Sequence, residues 1–564
     1  MWRGLQPAAS RLVSTLVHPW AGKSMSRHEC RDGSLGRPRH GVESAIRVAH
    51  DQQSDAAVPA RRRVRLETYL FFFVLFVGIV FATHLPLLGL PLYWDELGYF
   101  IPAALDLHRL GLWIPRSTVP NVHPPGLMAY LAGAWSLFGY SIPATRAAML
   151  LVASAAVLVT FLLAIRLCRG VRGAPAFWAV LALLLCPLVY TQAMLAQLDL
   201  PAMLLTVWAL ACFLGGRFLA AALVSTALVL VKETGVVVPL VFAFWLWREG
   251  KPRQALYFAL PLAALGAWLA ALYLRTGSPL GNAEFTRYNL LFPLHPVRAG
   301  AALLRRLYYL LVANFHWAGW LAVWWAARRA RIYSHVAWRV TGTLALSHVL
   351  VVSFLGGAAL ERYLLPVLPL VYVAMAAAWS VSSSVWMRLS QGVVLAGLLA
   401  GLFVNPPYPF PYENNLAVAD FVRLHQNAAR FLERHYAGRA ITTAWPLSAA
   451  LRRPDCGYVQ RRLPVQAIPD FKLSTVRALD RQRTGLFVLY SRDWEAGFNL
   501  GRWDWLRALR QRFYGWEAPI SPEELQASFG LTEVARWNQR GQWIAVFARA
   551  PQGPTPGGVV PQRL

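Results

Sequence analysis

The stretch YWDELGYF, residues 93–100, sets two adjacent carboxylates, Asp95 and Glu96, directly after about twenty apolar residues. Charge at the end of a membrane-spanning segment is costly and marks a partner or a task. Other reactive residue types stand at similar boundaries. His123 precedes a Pro pair, Asp199 lies in QLDLP, and Lys232 and Glu233 interrupt an apolar region as VKETG. Glu361, Arg362 and Tyr363 open a later apolar run. These types are complementary. A carboxylate can take a proton from a hydroxyl or amine, and Lys and Arg bind phosphate oxygens. Acids and cations gathered at membrane level fit a phosphate-linked lipid substrate. Each residue also has an ordinary reading. Asp95, Glu96 and Asp199 can cap helices, Lys232 and Glu233 can form a local ion pair, His123 can be a loop residue, and Arg362 can snorkel to the interface.

The elements that must position them follow from composition. The chain has 564 residues, is 57% hydrophobic and carries a formal charge of +28. That is too apolar for a soluble domain of this size. The basic residues fall in short runs between apolar segments, the positive-inside pattern of membrane proteins, which argues against nucleic-acid binding. Only four lysines occur, Lys23, Lys232, Lys251 and Lys472, so Lys232 inside an apolar region stands out. The five cysteines, Cys30, Cys168, Cys186, Cys212 and Cys456, show neither CxxC nor metal-type spacing.

Apolar length predicts eleven spans: 68–90, 143–165, 174–195, 200–214, 218–231, 234–247, 255–274, 306–326, 338–357, 363–381 and 391–404. Arg61, Arg62 and Arg63 put the N-terminus in the cytoplasm. Arg166, Arg169, Arg172, Arg217, Arg248, Lys251, Arg253, Arg328, Arg329, Arg331 and Arg388 then fall inside. The odd count sends the C-terminal region outside. Residues 218–247 could instead be one long helix, which would invert everything downstream. The hairpin keeps every basic cluster on one side. Its arms, at roughly 21 Å each, are shorter than the hydrocarbon core of about 30 Å, so VKETG would lie sunken in the outer half of the membrane, where polar backbone can line a cavity. In this topology Asp95, Glu96, His123, Asp199, Lys232, Glu233, Glu361, Arg362 and Tyr363 all reach the outer face.

The external loop 91–142 is expected to carry two amphipathic surface helices, about 95–110 and 124–138. A second external loop, 275–305, has Arg275, Arg287, Arg298 and Arg305, with Arg306 following; it either tolerates charge or binds anions. After NPPYPFPY the composition changes. Residues 405–550 read as an exported α/β domain, with a helix over 415–436 and strands at AITTA, GLFVLY, LTEVARW and QWIAVFAR. Residues 1–65 read as a disordered cytoplasmic tail, with Met25 an alternative start, and 551–564 as a disordered tail. The expected fold is thus an α-helical polytopic membrane protein with transmembrane region 66–404 and a C-terminal α/β domain.

YWDELGYFIPAALDL…GLWIPRSTVPNVHPPGLMAYL resembles the first external loop of the GT-C membrane glycosyltransferases, in the branch of the protein O-mannosyltransferases and lipid A aminoarabinose transferases. AQLDLPAMLL, LVKETGVVVPL and ERYLLPVLPLVY match further pieces in order, and the resemblance covers roughly residues 68–381. It implies inverting transfer of a sugar from a polyprenyl-phosphate donor to a protein, lipid or cell-envelope acceptor, at the outer face of a bacterial plasma membrane. It further implies Asp95 as base, Glu96 as a supporting acid, and Asp199 orienting the acceptor or the cations. Lys232, Arg362 and His123 would meet the donor phosphate, with Glu233, Glu361 and Tyr363 in support. His123 stands where the aminoarabinose transferases have Lys. The resemblance demands no cofactor and leaves a divalent metal open. Two other classes compete. A transporter or flippase would spread polar residues through both halves of the membrane, and a non-catalytic scaffold leaves Lys232 and Asp199 without a reason.

Overall fold

Long runs of Ala, Leu, Val and Phe form most of the chain, and they fold as helices. The computed structural model describes residues 66–355, 358–492, 494 and 503–549; the two tails read as disordered lie outside them. The chain divides by contacts between Val74 and Leu75, and the site lies wholly in the second unit.

Five helices among the described residues are long and apolar enough to cross a membrane: Leu66–Leu87, Ile142–Leu167, Pro252–Thr276, Val336–Phe354 and Val385–Phe403. The pair Pro175–Leu185 and Pro187–Met194 is bent by 67° at Cys186, where Pro187 ends the first arm, and is either a broken span or a re-entrant loop. Gly126–Phe138, Asp199–Leu214, Phe218–Val231 and Leu368–Trp379 are apolar but shorter. The protein is an α-helical integral membrane protein. Length alone does not reproduce the expected eleven crossings.

Two segments test the expected topology. Residues 218–247 do not form one continuous helix. Phe218–Val231 stops at Lys232, whose backbone is extended, and a 3-10 turn Glu233–Val236 leads into Val237–Arg248. The turn packs closely: a Cβ on Gly235 would come within 2.5 Å of the Leu228 side chain. The expected span 306–326 is also broken. Pro296–Leu311 and His316–Arg329 are separated by Ala313–Phe315, where Asn314 and Phe315 adopt φ of 53° and 60°. Asn tolerates this region better than most residues. The break is packed closely against a neighbour, since a Cβ on Gly397 would lie 2.4 Å from the Phe315 ring.

Residues 91–142 carry two helical stretches, as the spacing predicts. The first begins with a π turn, Glu96–Phe100, and continues as Ile101–Leu110; the second is Gly126–Phe138. The C-terminal region holds helix Ala417–His435 and a five-stranded sheet. The strands are β1 (Ile441–Ala444), β2 (Val465–Ile468), β3 (Leu486–Tyr490), β4 (Thr532–Gln539) and β5 (Gln542–Ala548), in the order β2-β1-β3-β5-β4. β1 pairs in parallel with β2 and β3, whereas β5 pairs antiparallel with β3 and β4. β2 was not among the expected strands: it is an edge strand of four residues, two half-buried, one exposed and one buried, without a fully apolar run.

Candidate functional site

Asp95 and Glu96 face different surroundings. Glu96 turns into the protein and is fully enclosed with Arg146 of helix Ile142–Leu167. Arg146 reaches both Glu96 oxygens and also donates to the carbonyls of Met194 at 2.8 Å, Pro91 at 3.0 Å and Leu90 at 3.2 Å. Glu96 in turn accepts from the backbone N–H groups of Tyr93 at 2.8 Å and Ala196 at 2.6 Å. This pair locks the turn that precedes the π-helical start. Trp94, inside that turn, has a φ of 42°, an uncommon conformation for a bulky residue.

Asp95 instead looks into a cavity of about 1120 Å³. Its side chain keeps 21% exposure, against 5% for Asp199 and 4% for Glu361 and Glu413. One oxygen accepts a 2.5 Å hydrogen bond from Arg362 Nη2. Arg362 lies in the 3-10 turn Glu361–Leu364 and gathers three carboxylates. Besides Asp95, its Nη1 donates to Glu413 at 3.1 Å and to Gln197 Oε1 at 2.8 Å, and its Nε lies 3.3 Å from Asp199. Asp199 occupies the first turn of helix Asp199–Leu214, where the helix dipole favours an acid. It also accepts from Lys232.

Lys232 stands 4.3 Å from the centre of the Tyr363 ring. Arg362 and Arg306 approach the same ring at 5.7 and 5.9 Å. Arg306 is 1% exposed, and its Nε and Nη1 have no hydrogen-bond partner. Arg305 is half-exposed, lines the cavity and donates to Glu361 at 2.5 Å. His123 hydrogen-bonds through Nδ1 to Glu233 at 2.9 Å, joining the loop 91–142 to the turn that carries Lys232. Burial raises the Glu233 carboxyl, but His123 and Lys232 outweigh it and hold the group below its usual range. Of the basic residues in the segment 275–305, Arg298 and Arg305 line the cavity, whereas Arg275 and Arg287 stay exposed outside it.

The sequence thus named seven groups that line one cavity, Asp95, His123, Asp199, Lys232, Glu233, Arg362 and Tyr363; Glu361, which holds Arg305 at its edge; and Glu96, which meets Arg146 behind it. It missed Arg146, Gln197 and Glu413. Arg146 sits in an apolar helix, and an arginine there among alanines and leucines was the available signal. Glu413 follows a Pro-rich segment that reads as a linker, and nothing local marks it. The C-terminal region also reaches the cavity through Trp445 and Arg492, the latter 5.7 Å from the Trp94 ring. Trp445 packs so closely on the π turn that a Cβ on Gly98 would lie 2.6 Å from it. Among the described residues, no group of three or more His, Cys, Asp or Glu side chains is arranged to hold a metal ion.

No family profile and no curated protein matches the chain. Solved structures similar to it are GT-C glycosyltransferases. ArnT from Cupriavidus metallidurans bound to undecaprenyl phosphate is 14% identical, with a TM-score of 0.48 over 87% of this chain and 100% of that one. The oligosaccharyltransferase AglB from Archaeoglobus fulgidus, in complex with an inhibitory peptide and a dolichol-phosphate, is 11% identical, with a TM-score of 0.44 over 86% and 75%. Arabinofuranosyltransferase AftD from Mycobacteria is 15% identical, with a TM-score of 0.40 over 86% and 40%. These are likenesses at low identity; what the residues of this chain can do rests on their own geometry.

Proposed function

We propose that the protein is an inverting glycosyltransferase that moves a sugar from a polyprenyl-phosphate donor to a protein, lipid or glycan acceptor at the outer face of a bacterial plasma membrane. The observation that carries this reading is one cavity holding an accessible carboxylate, Asp95, beside cations grouped around Tyr363. Asp95 takes the proton of an acceptor hydroxyl or amine. The acceptor atom bonds to the anomeric carbon from the side opposite the phosphate, through an oxocarbenium-like state. The bond from that carbon to the phosphate oxygen breaks, and the lipid phosphate leaves with the electron pair.

Lys232 and Arg305 meet that developing charge, and Arg306 adds unpaired positive charge behind them. Arg362 contributes to the same field, but three carboxylates already claim its guanidinium, so its larger part is to orient Asp95. Asp199 holds Lys232 and Arg362 in place. His123 and Glu233 fix the turn that carries Lys232, while Glu361 fixes Arg305. Glu96 sets the direction of Asp95 through the buried pair with Arg146 and touches no substrate.

The test is Asp95→Asn. With undecaprenyl-phosphate-linked sugars as donors, sugar release or transfer by the purified variant falls about 100-fold or more, while its melting temperature stays near that of the wild type. Full activity of this variant would overturn the assignment of the base. Absence of release by the wild-type protein from every such donor would overturn the reaction class and return the chain to the transporter reading.

A further inference from the structure

We propose that Glu413 is a positioning residue for the reaction: its carboxylate competes with Asp95 for the Arg362 guanidinium and thereby sets how readily Asp95 accepts a proton. This rests on the reading of Asp95 as the base.

Glu413 lies in the 3-10 turn Tyr412–Asn414, immediately after the last membrane helix and its Pro-rich exit. It is 3% exposed. Its Oε2 accepts from Arg362 at 3.1 Å and from Gln197 Nε2 at 3.4 Å, while its Oε1 has no partner. The backbone cannot swing the acid away. Thr191 donates to the Glu413 carbonyl, and Tyr412 reaches Ser491 at 3.3 Å. The groups that face Glu413 come from four places: Arg362 from the 361–364 turn; Asp95 and Tyr93 from the loop 91–142; Gln197 from just before helix Asp199–Leu214 and Asp199 from its first turn; and Tyr412 beside it.

Charge balance then leaves few options. In direct ion pairs, three carboxylates, Asp95, Asp199 and Glu413, share two cations, Arg362 and Lys232, while Arg306 stands behind Tyr363 without pairing with any of them. An excess negative charge in a nearly dry site is expensive. Asp95 relieves its share toward the cavity, and Asp199 has both cations. Glu413 borders the same cavity but its side chain is only 4% exposed, and it shares one guanidinium with two rivals and keeps one oxygen bare. It is the carboxylate on which a proton costs least. Burial pushes the Glu413 carboxyl up to about 7, with Arg362 opposing.

The consequence has a definite sign. Ionised Glu413 draws on Arg362 and adds negative potential beside Asp95, which makes Asp95 the stronger base. Protonated Glu413 releases Arg362 to Asp95 and weakens it. Turnover therefore rises as pH climbs through the ionisation of Glu413, and the acid limb of the pH profile belongs to Glu413.

Glu413→Gln tests this on the full-length protein with an undecaprenyl-phosphate-linked sugar. We expect kcat to fall several-fold with KM for the donor little changed, and the acid limb near neutral pH to disappear. Glu413→Asp, which keeps the charge, restores a limb. Infrared difference spectra between acid and alkaline pH need no substrate: the carbonyl band of a buried protonated carboxyl present in the wild type is lost in Glu413→Gln. A Glu413→Gln profile that superimposes on the wild type overturns the proposal, as does a wild-type spectrum whose band survives the substitution. Should the wild type release no sugar at any pH, the reaction class falls, while the infrared titration still reports separately whether Glu413 is the titrating group.

Discussion

Consecutive residues of a helical turn point about 100° apart, and Asp95 and Glu96 use that angle to enter two different environments. Glu96 and Arg146 are both 0% exposed, so neither charge has water to fall back on. Removing one partner from such a pair leaves the other buried and uncompensated, at a cost of about 3–5 kcal/mol. Glu96→Gln is therefore expected to lower the melting temperature in detergent by several degrees or more, and to lose activity with it. Asp95→Asn, with its side chain partly open to the cavity, loses activity and keeps its melting temperature. Identical melting curves for the two variants would contradict this division. The same contrast explains what was legible. Asp95, Asp199, Lys232 and Arg362 stand at the ends of apolar runs, where a charge is conspicuous. Glu413 is as close to Arg362 as Asp199 is, but in sequence it is one acid in a Pro-rich connector. Its meaning exists only once the chain has brought residue 413 back to residue 362.

At the scale of elements, the turn that presents Asp95 is braced from the C-terminal region. Leu92 donates its N–H to the Cys456 carbonyl at 3.1 Å, and Tyr458 donates to the Leu92 carbonyl at 3.0 Å. Arg453 donates to the Leu97 carbonyl at 3.1 Å, and Tyr140 to the Asp455 carbonyl at 2.8 Å. Both flanks of the Trp94–Asp95 pair are thus tied to residues more than three hundred positions away. Trp445 completes the brace against Gly98, where only a hydrogen fits. Gly98→Ala forces the Trp445 ring or the π turn to move by a few tenths of an ångström or more, and positioning errors of about an ångström cost up to about 100-fold in rate. We expect reduced kcat for Gly98→Ala, with partial recovery when Trp445→Phe is added, measured as sugar transfer. No recovery in the double variant would mean that Gly98 acts in some other way. Helix period and apolar length made the two helices of residues 91–142 and four of five strands readable, because those signals are local. The π turn, the break at Asn314–Phe315 and the brace were not readable, because each is set by what packs against it.

Across the whole molecule, the two ends of the helical region differ in charge character. Helix Ile142–Leu167 carries Arg146 near one end, among Glu96 and its neighbours, and Arg166 near the other. The twenty residue steps from one to the other rise roughly 30 Å as α-helix, the thickness of the hydrocarbon core. Arg166 donates to the Ala211 carbonyl and packs on Gly215, which draws the basic ends of two helices together. A Cβ on Gly173 would lie 3.7 Å from the Ser380 side chain, so the segment before helix Pro175–Leu185 and the end of helix Leu368–Trp379 are close as well. Arg169, Arg172, Arg217 and Arg388 cluster at these same helix ends in sequence. The opposite ends hold Asp95, Asp199, Lys232, Arg362 and Glu413 around the cavity. A polar cavity at one end and basic residues at the other orient a membrane protein, since Arg and Lys favour the cytoplasmic side. The break at Lys232 then becomes decisive. If Phe218–Val231 and Val237–Arg248 are arms of a hairpin, Arg248, Lys251 and Arg253 return to the side of Arg217; if the chain crosses once, they do not. Reporter fusions after Gly250 and after Phe410 distinguish these arrangements. We expect alkaline phosphatase to be inactive at 250 and active at 410. Phosphatase activity at 250 would break the hairpin and move the second Arg-rich loop to the cytoplasm, away from any donor phosphate at the outer face.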